Sequence, residues 1–148
     1  MLLHNKSSFI IWGLRCIALI WTLIFSYLLI QPEQQAVVHT VVQPAPPSFE
    51  RELLFTSLHL LTFGFTAWLW CLALFPTRKD HRMMIVLALC LVLYGGLAEI
   101  LQMQIPGRTA QWWDMTANIL GIILGIGLWS LGHLWFVRRQ ITQNLLTH

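Results

Sequence analysis

Charge is the scarcest ingredient of this 148-residue chain, in which only 10% of residues are Asp, Glu, Lys or Arg. A soluble domain carries about 25%, and a surface with so little charge is not compatible with water. A mainly soluble domain is therefore excluded, and the 57% of hydrophobic residues points to lipid as the solvent. Cysteine is scarce as well. Cys16, Cys71 and Cys90 are odd in number, lie in apolar runs and form no ligand-spaced pair, so they are expected to be buried apolar thiols. Neither an HExxH motif nor a paired-histidine spacing occurs, which leaves a metal site without a sequence signature. No metal or other cofactor is expected. The nine Lys and Arg residues are few and tied to the ends of apolar runs, which argues against nucleic acid as a partner.

What is present is long apolar segments. A transmembrane helix needs roughly 20 mainly apolar residues to cross a hydrocarbon core about 30 Å thick. Four stretches qualify: Phe9 to Ile30, Leu53 to Phe75, Met83 to about Met103, and Met115 to Val137. The fold class is all-α, a polytopic membrane protein with four transmembrane helices in a single domain over 1–148. The first run follows Lys6 but exceeds the roughly 7 to 15 residues of a signal core, and is read as a retained anchor. Basic residues concentrate in cytoplasmic loops. Lys6, Arg15, Arg78, Lys79, Arg82, Arg138 and Arg139 fall on one side, against Arg51 and Arg108 on the other. Both termini are thus expected in the cytoplasm. The outer loop 31–52 contains Gln43-Pro-Ala-Pro-Pro47, which favours irregular extended backbone and is a candidate surface for a protein partner.

Polar residues inside spans are costly and face the protein interior or water. Several gather at one level here. His59 lies about six residues into helix 2, roughly 9 Å at 1.5 Å per residue. Glu99 and Gln102 share a face near the outer end of helix 3. Asp114 opens helix 4, with Asn118 at i+4. Arg108 lies in the intervening Pro-Gly turn, before the interfacial pair Trp112 and Trp113. Each member has a plainer role: a packing histidine, a helix N-cap for Asp114, an interfacial anchor for Arg108, an ion pair for Glu99 with His59 or Arg108. Together they describe either a functional outer site or a structural network. Gly121 and Gly125 share the Asp114 face in a small-x-x-x-small spacing that lets helix backbones approach closely, so the polar end of helix 4 is expected on a packed face. Gly95 and Gly96 offer the same possibility, or a looser helix 3.

The order of these residues carries a resemblance. Tyr94-Gly-Gly-Leu-Ala-Glu99-x-x-Gln102, then Pro106-Gly-Arg108, then Asp114-x-x-x-Asn118-x-x-Gly121-x-x-x-Gly125 resembles the VanZ-like membrane protein family. That family's hallmark is a Glu-x-x-Gln pair, a Pro-Gly-Arg turn and an Asp-x-x-x-Asn-x-x-Gly run. His59 resembles a family histidine often preceded by Asp-Lys, where this chain has Thr56 and Ser57. The resemblance implies a small protein of the bacterial inner membrane. The family's namesake is associated with resistance to the glycopeptide teicoplanin, which acts on cell-wall precursors, and resistance is not carried over with the motif.

These residues suggest an envelope-related protein whose outer-leaflet site binds a membrane lipid or a lipid-linked glycan precursor. Arg108 would meet phosphate or carboxylate through its planar donor fork, and Gln102 and Asn118 would add neutral hydrogen bonds. Glu99, His59 and Asp114 would hold charge and provide acid–base groups. No nucleophile is indicated, because Ser57 at i−2 is off the His59 face. A non-catalytic accessory subunit of a membrane complex is the alternative. A proton-coupled transporter ranks lower, since the inner half of the spans is almost wholly apolar.

Overall fold

The structure is a computed structural model that describes residues 2–30, 49–75, 80–104 and 112–146. It contains α1 (Leu2–Leu29), α2 (Phe49–Leu74), α3 (His81–Gln102) and α4 (Trp112–Leu146). All four are long and apolar enough to cross a membrane, over Ser8–Leu29, Glu52–Leu74, His81–Gln102 and Trp112–Asn144. The chain is a multi-pass membrane protein, as the apolar runs indicate. Its helices satisfy their own backbone groups, which is the requirement for crossing lipid.

The helix ends differ from the sequence expectation in an intelligible way. α4 does not stop at Val137 but runs on to Leu146. At 1.5 Å per residue its 35 residues span about 52 Å, well beyond the hydrocarbon core. No Gly or Pro follows Gly132, and Arg139 to Leu146 are mostly tolerable helix formers. The apolar run gives way to Arg138 and Arg139, whereas the helix continues past them. α3 starts sharply by contrast. Asp80 is its N-cap, and its carboxylate accepts from the amides of Arg82 (3.0 Å) and Met83 (3.3 Å).

α2 and α4 make the most extensive helix contact, because glycines remove the side chains between them. A Cβ on Gly121 would run into the Leu60 carbonyl oxygen, and one on Gly125 into the Gly64 carbonyl oxygen and the Ala67 side chain. The close approach needs small residues on both helices, and Gly64 on α2 is the partner that the α4 pattern did not reveal. Gly95 serves a related purpose on α3. Its missing side chain admits the Phe63 ring edge and the Asn118 amide, which a Cβ would meet at 3.2 and 3.3 Å.

Phe63, fully buried, ties the bundle together. It packs edge-on to Phe25 of α1 at 5.4 Å between centroids and against Tyr94 of α3 at 5.7 Å. α1 is further fixed by polar pairs at mid-depth. The Trp21 indole donates to Thr66 Oγ1 (2.9 Å), the Trp70 indole donates to Thr22 Oγ1 (3.0 Å), and the Ser26 and Tyr94 hydroxyls lie 2.8 Å apart. These pairs place hydrogen bonding deeper in the bundle than the charge pattern suggested. Each links two neighbouring helices. The cysteines depart from expectation too. Cys71 is buried, but Cys16 and Cys90 are exposed on the outside of the bundle, where a small apolar thiol meets lipid without cost.

Candidate functional site

The site forms where α2 and α4 begin and α3 ends. Thr56 and His59 share one face of α2 at i and i+3, Glu99 lies on the last turn of α3, and Asp114 and Asn118 share a face of α4 at i and i+4. The α2–α4 glycine contact brings those two faces together, and Gly95 lets Asn118 reach α3. Asn118 is fully buried, and Glu99, His59 and Asp114 keep only 6%, 7% and 9% of their surface exposed.

Asn118 is the hub. Its Nδ2 donates to Glu99 Oε1 at 3.4 Å, and its Oδ1 lies 3.0 Å from His59 Nδ1. An amide that turns its NH2 to a carboxylate must turn its oxygen to the imidazole, so Nδ1 carries the proton and donates. His59 Nδ1 also lies 3.8 Å from Glu99 Oε1, which makes the three groups one compact unit. Beneath them the His59 ring stacks on Phe63, 6.4 Å between centroids with planes 9° apart. The apolar ring strengthens the electrostatics above it by keeping water out.

Asp114 joins from the side. α4 begins two residues earlier, at Trp112, so Asp114 sits inside the first turn and is not the residue that precedes the helix. A carboxylate there still favours the helix macrodipole, but its Oδ1 accepts from the Thr56 hydroxyl at 2.9 Å. One ligand-type atom from each of His59, Glu99 and Asp114 lies within 4.8 Å of the others.

Of the residues expected at the site, His59, Glu99, Asp114 and Asn118 come together. Gln102 is buried near them, but its Nε2 donates to the Leu29 carbonyl at 3.1 Å and so secures the end of α1. Gly121 and Gly125 sit on the α2–α4 contact, as their spacing suggested. Arg108 and the Pro-Gly turn lie outside the described residues, as does loop 31–52 up to residue 48. Thr56 is the member that the sequence did not announce. Its i−3 relation to His59 was the available signal, masked by its departure from the Asp-Lys pattern. Ser57 is exposed and bonds the Leu53 carbonyl of its own helix at 2.7 Å, away from the cluster.

Among known proteins, the family model described as VanZ/LLP1 matches residues 13–135, a stretch that contains every site residue above. No curated protein and no solved structure matches the chain.

Proposed function

The chain belongs to the VanZ/LLP1 family, and from that premise we propose that it is a bacterial cytoplasmic-membrane protein that binds a lipid or lipid-linked glycan headgroup of the cell envelope. The observation that carries this reading is the burial of His59, Glu99, Asp114 and Asn118, from three helices, at one level of the bundle. Intramembrane ionisable groups mark functional sites by default, since their desolvation is costly. The distribution of basic residues favours cytoplasmic termini, with this end of the bundle at the outer leaflet. A headgroup enters from that surface. Arg108, between α3 and α4 in sequence, supplies a bidentate contact to phosphate or carboxylate. The same groups suit acid–base chemistry at a headgroup, with His59 or Glu99 as the base.

Native mass spectrometry of the detergent-purified protein tests the reading. Wild type is expected to retain a specific lipid or lipid-linked precursor, and a folded Arg108→Ala variant is expected to lose it. If both forms retain only bulk phospholipid, headgroup binding is not the function.

One observation favours a second reading, that of an accessory subunit with a structural cluster. The His59–Asn118–Glu99 chain and the Thr56–Asp114 bond are internal contacts of the sort that fixes helix packing. The segment 31–48 and the first residues of α2 would then meet the partner protein.

A further inference from the structure

We propose that His59, Glu99, Asp114 and Asn118 form a binding site for a divalent transition-metal cation, in the class of zinc or manganese. The inference goes beyond headgroup binding and stands or falls separately from it. The ligand-type atoms come from three helices that share no local sequence motif, which is why no spacing announced them.

The donor set suits such an ion. The described groups that face one another are two carboxylates, an imidazole nitrogen and an amide oxygen. All four are acceptors toward a cation: the imidazole nitrogen suits zinc, and the carboxylate and amide oxygens also accommodate manganese. Bringing two carboxylates within 4.8 Å of each other and of the imidazole at low exposure concentrates negative charge, which a cation stabilises strongly where water is scarce.

The distances suit it as well. Metal–ligand bonds of about 2.1 Å place adjacent ligands about 3 to 3.5 Å apart. His59 Nδ1 lies 3.0 Å from Asn118 Oδ1 and 3.8 Å from Glu99 Oε1, so these atoms need to close by only a few tenths of an ångström. Asp114 needs the largest shift, because the three ligand atoms are spread over as much as 4.8 Å, against about 3 to 3.5 Å for adjacent ligands. On binding, the ion takes the place of the Nδ1 proton, and the neutral ring carries its proton on Nε2 instead.

Support stands behind the ligands too. Ligating carboxylates and imidazoles are held by outer hydrogen bonds that fix their orientation. Here Thr56 donates to Asp114 Oδ1 and the Asn118 NH2 donates to Glu99 Oε1, while Phe63 backs the His59 ring.

The full-length protein in detergent, stripped with EDTA and dialysed, is titrated with Mn2+ alone while the free-ion signal is read by electron paramagnetic resonance. The site is expected to bind one Mn2+ per chain saturably. Glu99→Gln and Asp114→Asn, which keep side-chain shape, are each expected to weaken binding at least tenfold, and Thr56→Val about tenfold. Circular dichroism checks that each variant keeps its helices. Absence of a saturable site in wild type overturns the proposal, and this result needs no variant to fold. Wild-type binding that persists unchanged in both carboxylate variants also overturns it.

Discussion

Gly121→Leu is expected to destabilise the bundle by about 3 kcal/mol or more, at the upper end of what overpacking costs. The reason is the identity of the atom in the way. Any Cβ at 121 meets the Leu60 carbonyl oxygen, which is backbone and cannot rotate aside, and at 125 it meets the Gly64 carbonyl oxygen. Relief requires α2 and α4 to separate over their whole contact, and the His59–Asn118 bond would open with them. Gly127 and Gly132 provide the internal comparison, since a Cβ there has nothing within 4 Å. Alanine at either of these positions is expected to be neutral or to stabilise by up to about 1 kcal/mol through helix propensity. Unfolding of the detergent-solubilised variants, followed by far-UV circular dichroism, measures both. A Gly121→Leu protein as stable as wild type would mean that the helices do not meet there.

Asn118→Leu is expected to cost about 2 kcal/mol and to abolish any ligand binding at the site. Hydrogen bonds between membrane helices average about 0.6 kcal/mol and reach about 1.7, which alone would make the loss of two bonds modest. Most of the cost falls on the groups left behind, at about 1 to 3 kcal/mol for a buried polar group without its partner. His59 and Glu99 can recover part of this, because they already lie 3.8 Å apart and need only a small shift to meet. Gln102→Leu removes one bond, to the Leu29 carbonyl, and is expected to cost less than Asn118→Leu. The order of the two melting temperatures checks the assignment of Asn118 as the hub.

The depth of the polar residues was legible in the sequence because a transmembrane helix is a ruler. Six residues into the second apolar span, which starts at Leu53, the end of the third and the start of the fourth have to lie at one level once the spans are recognised. His59, Glu99, Asp114 and Asn118 accordingly meet. Rotation about each helix axis was less legible. On α4 the row Asp114, Asn118, Gly121, Gly125 fixed it, since small and polar residues on one stripe must face protein. On α2, Gly64 and Thr56 have no such row. Gly64 reads as an ordinary interruption until the α4 glycines are laid against it, and Thr56 reads as a neutral residue until Asp114 lies 2.9 Å away. Gln102 shows the opposite difficulty. It shares a face with Glu99, but two positions three apart on a helix still differ in direction enough for one to reach α4 and the other α1. The lipid-facing positions of Cys16 and Cys90 were hidden for another reason: in a bilayer, an apolar side chain is equally at home on either side of a helix.

A buried cluster that holds a ligand differs from one that only packs helices in what happens when charge is removed and shape is kept. Glu99→Gln makes that change. One sample of the purified variant is melted, and another is analysed for retained lipid by native mass spectrometry. A ligand-holding cluster gives a melting temperature within a few degrees of wild type together with loss of the specific lipid. A variant that melts far below wild type, or one that keeps both its stability and its lipid, would contradict that role.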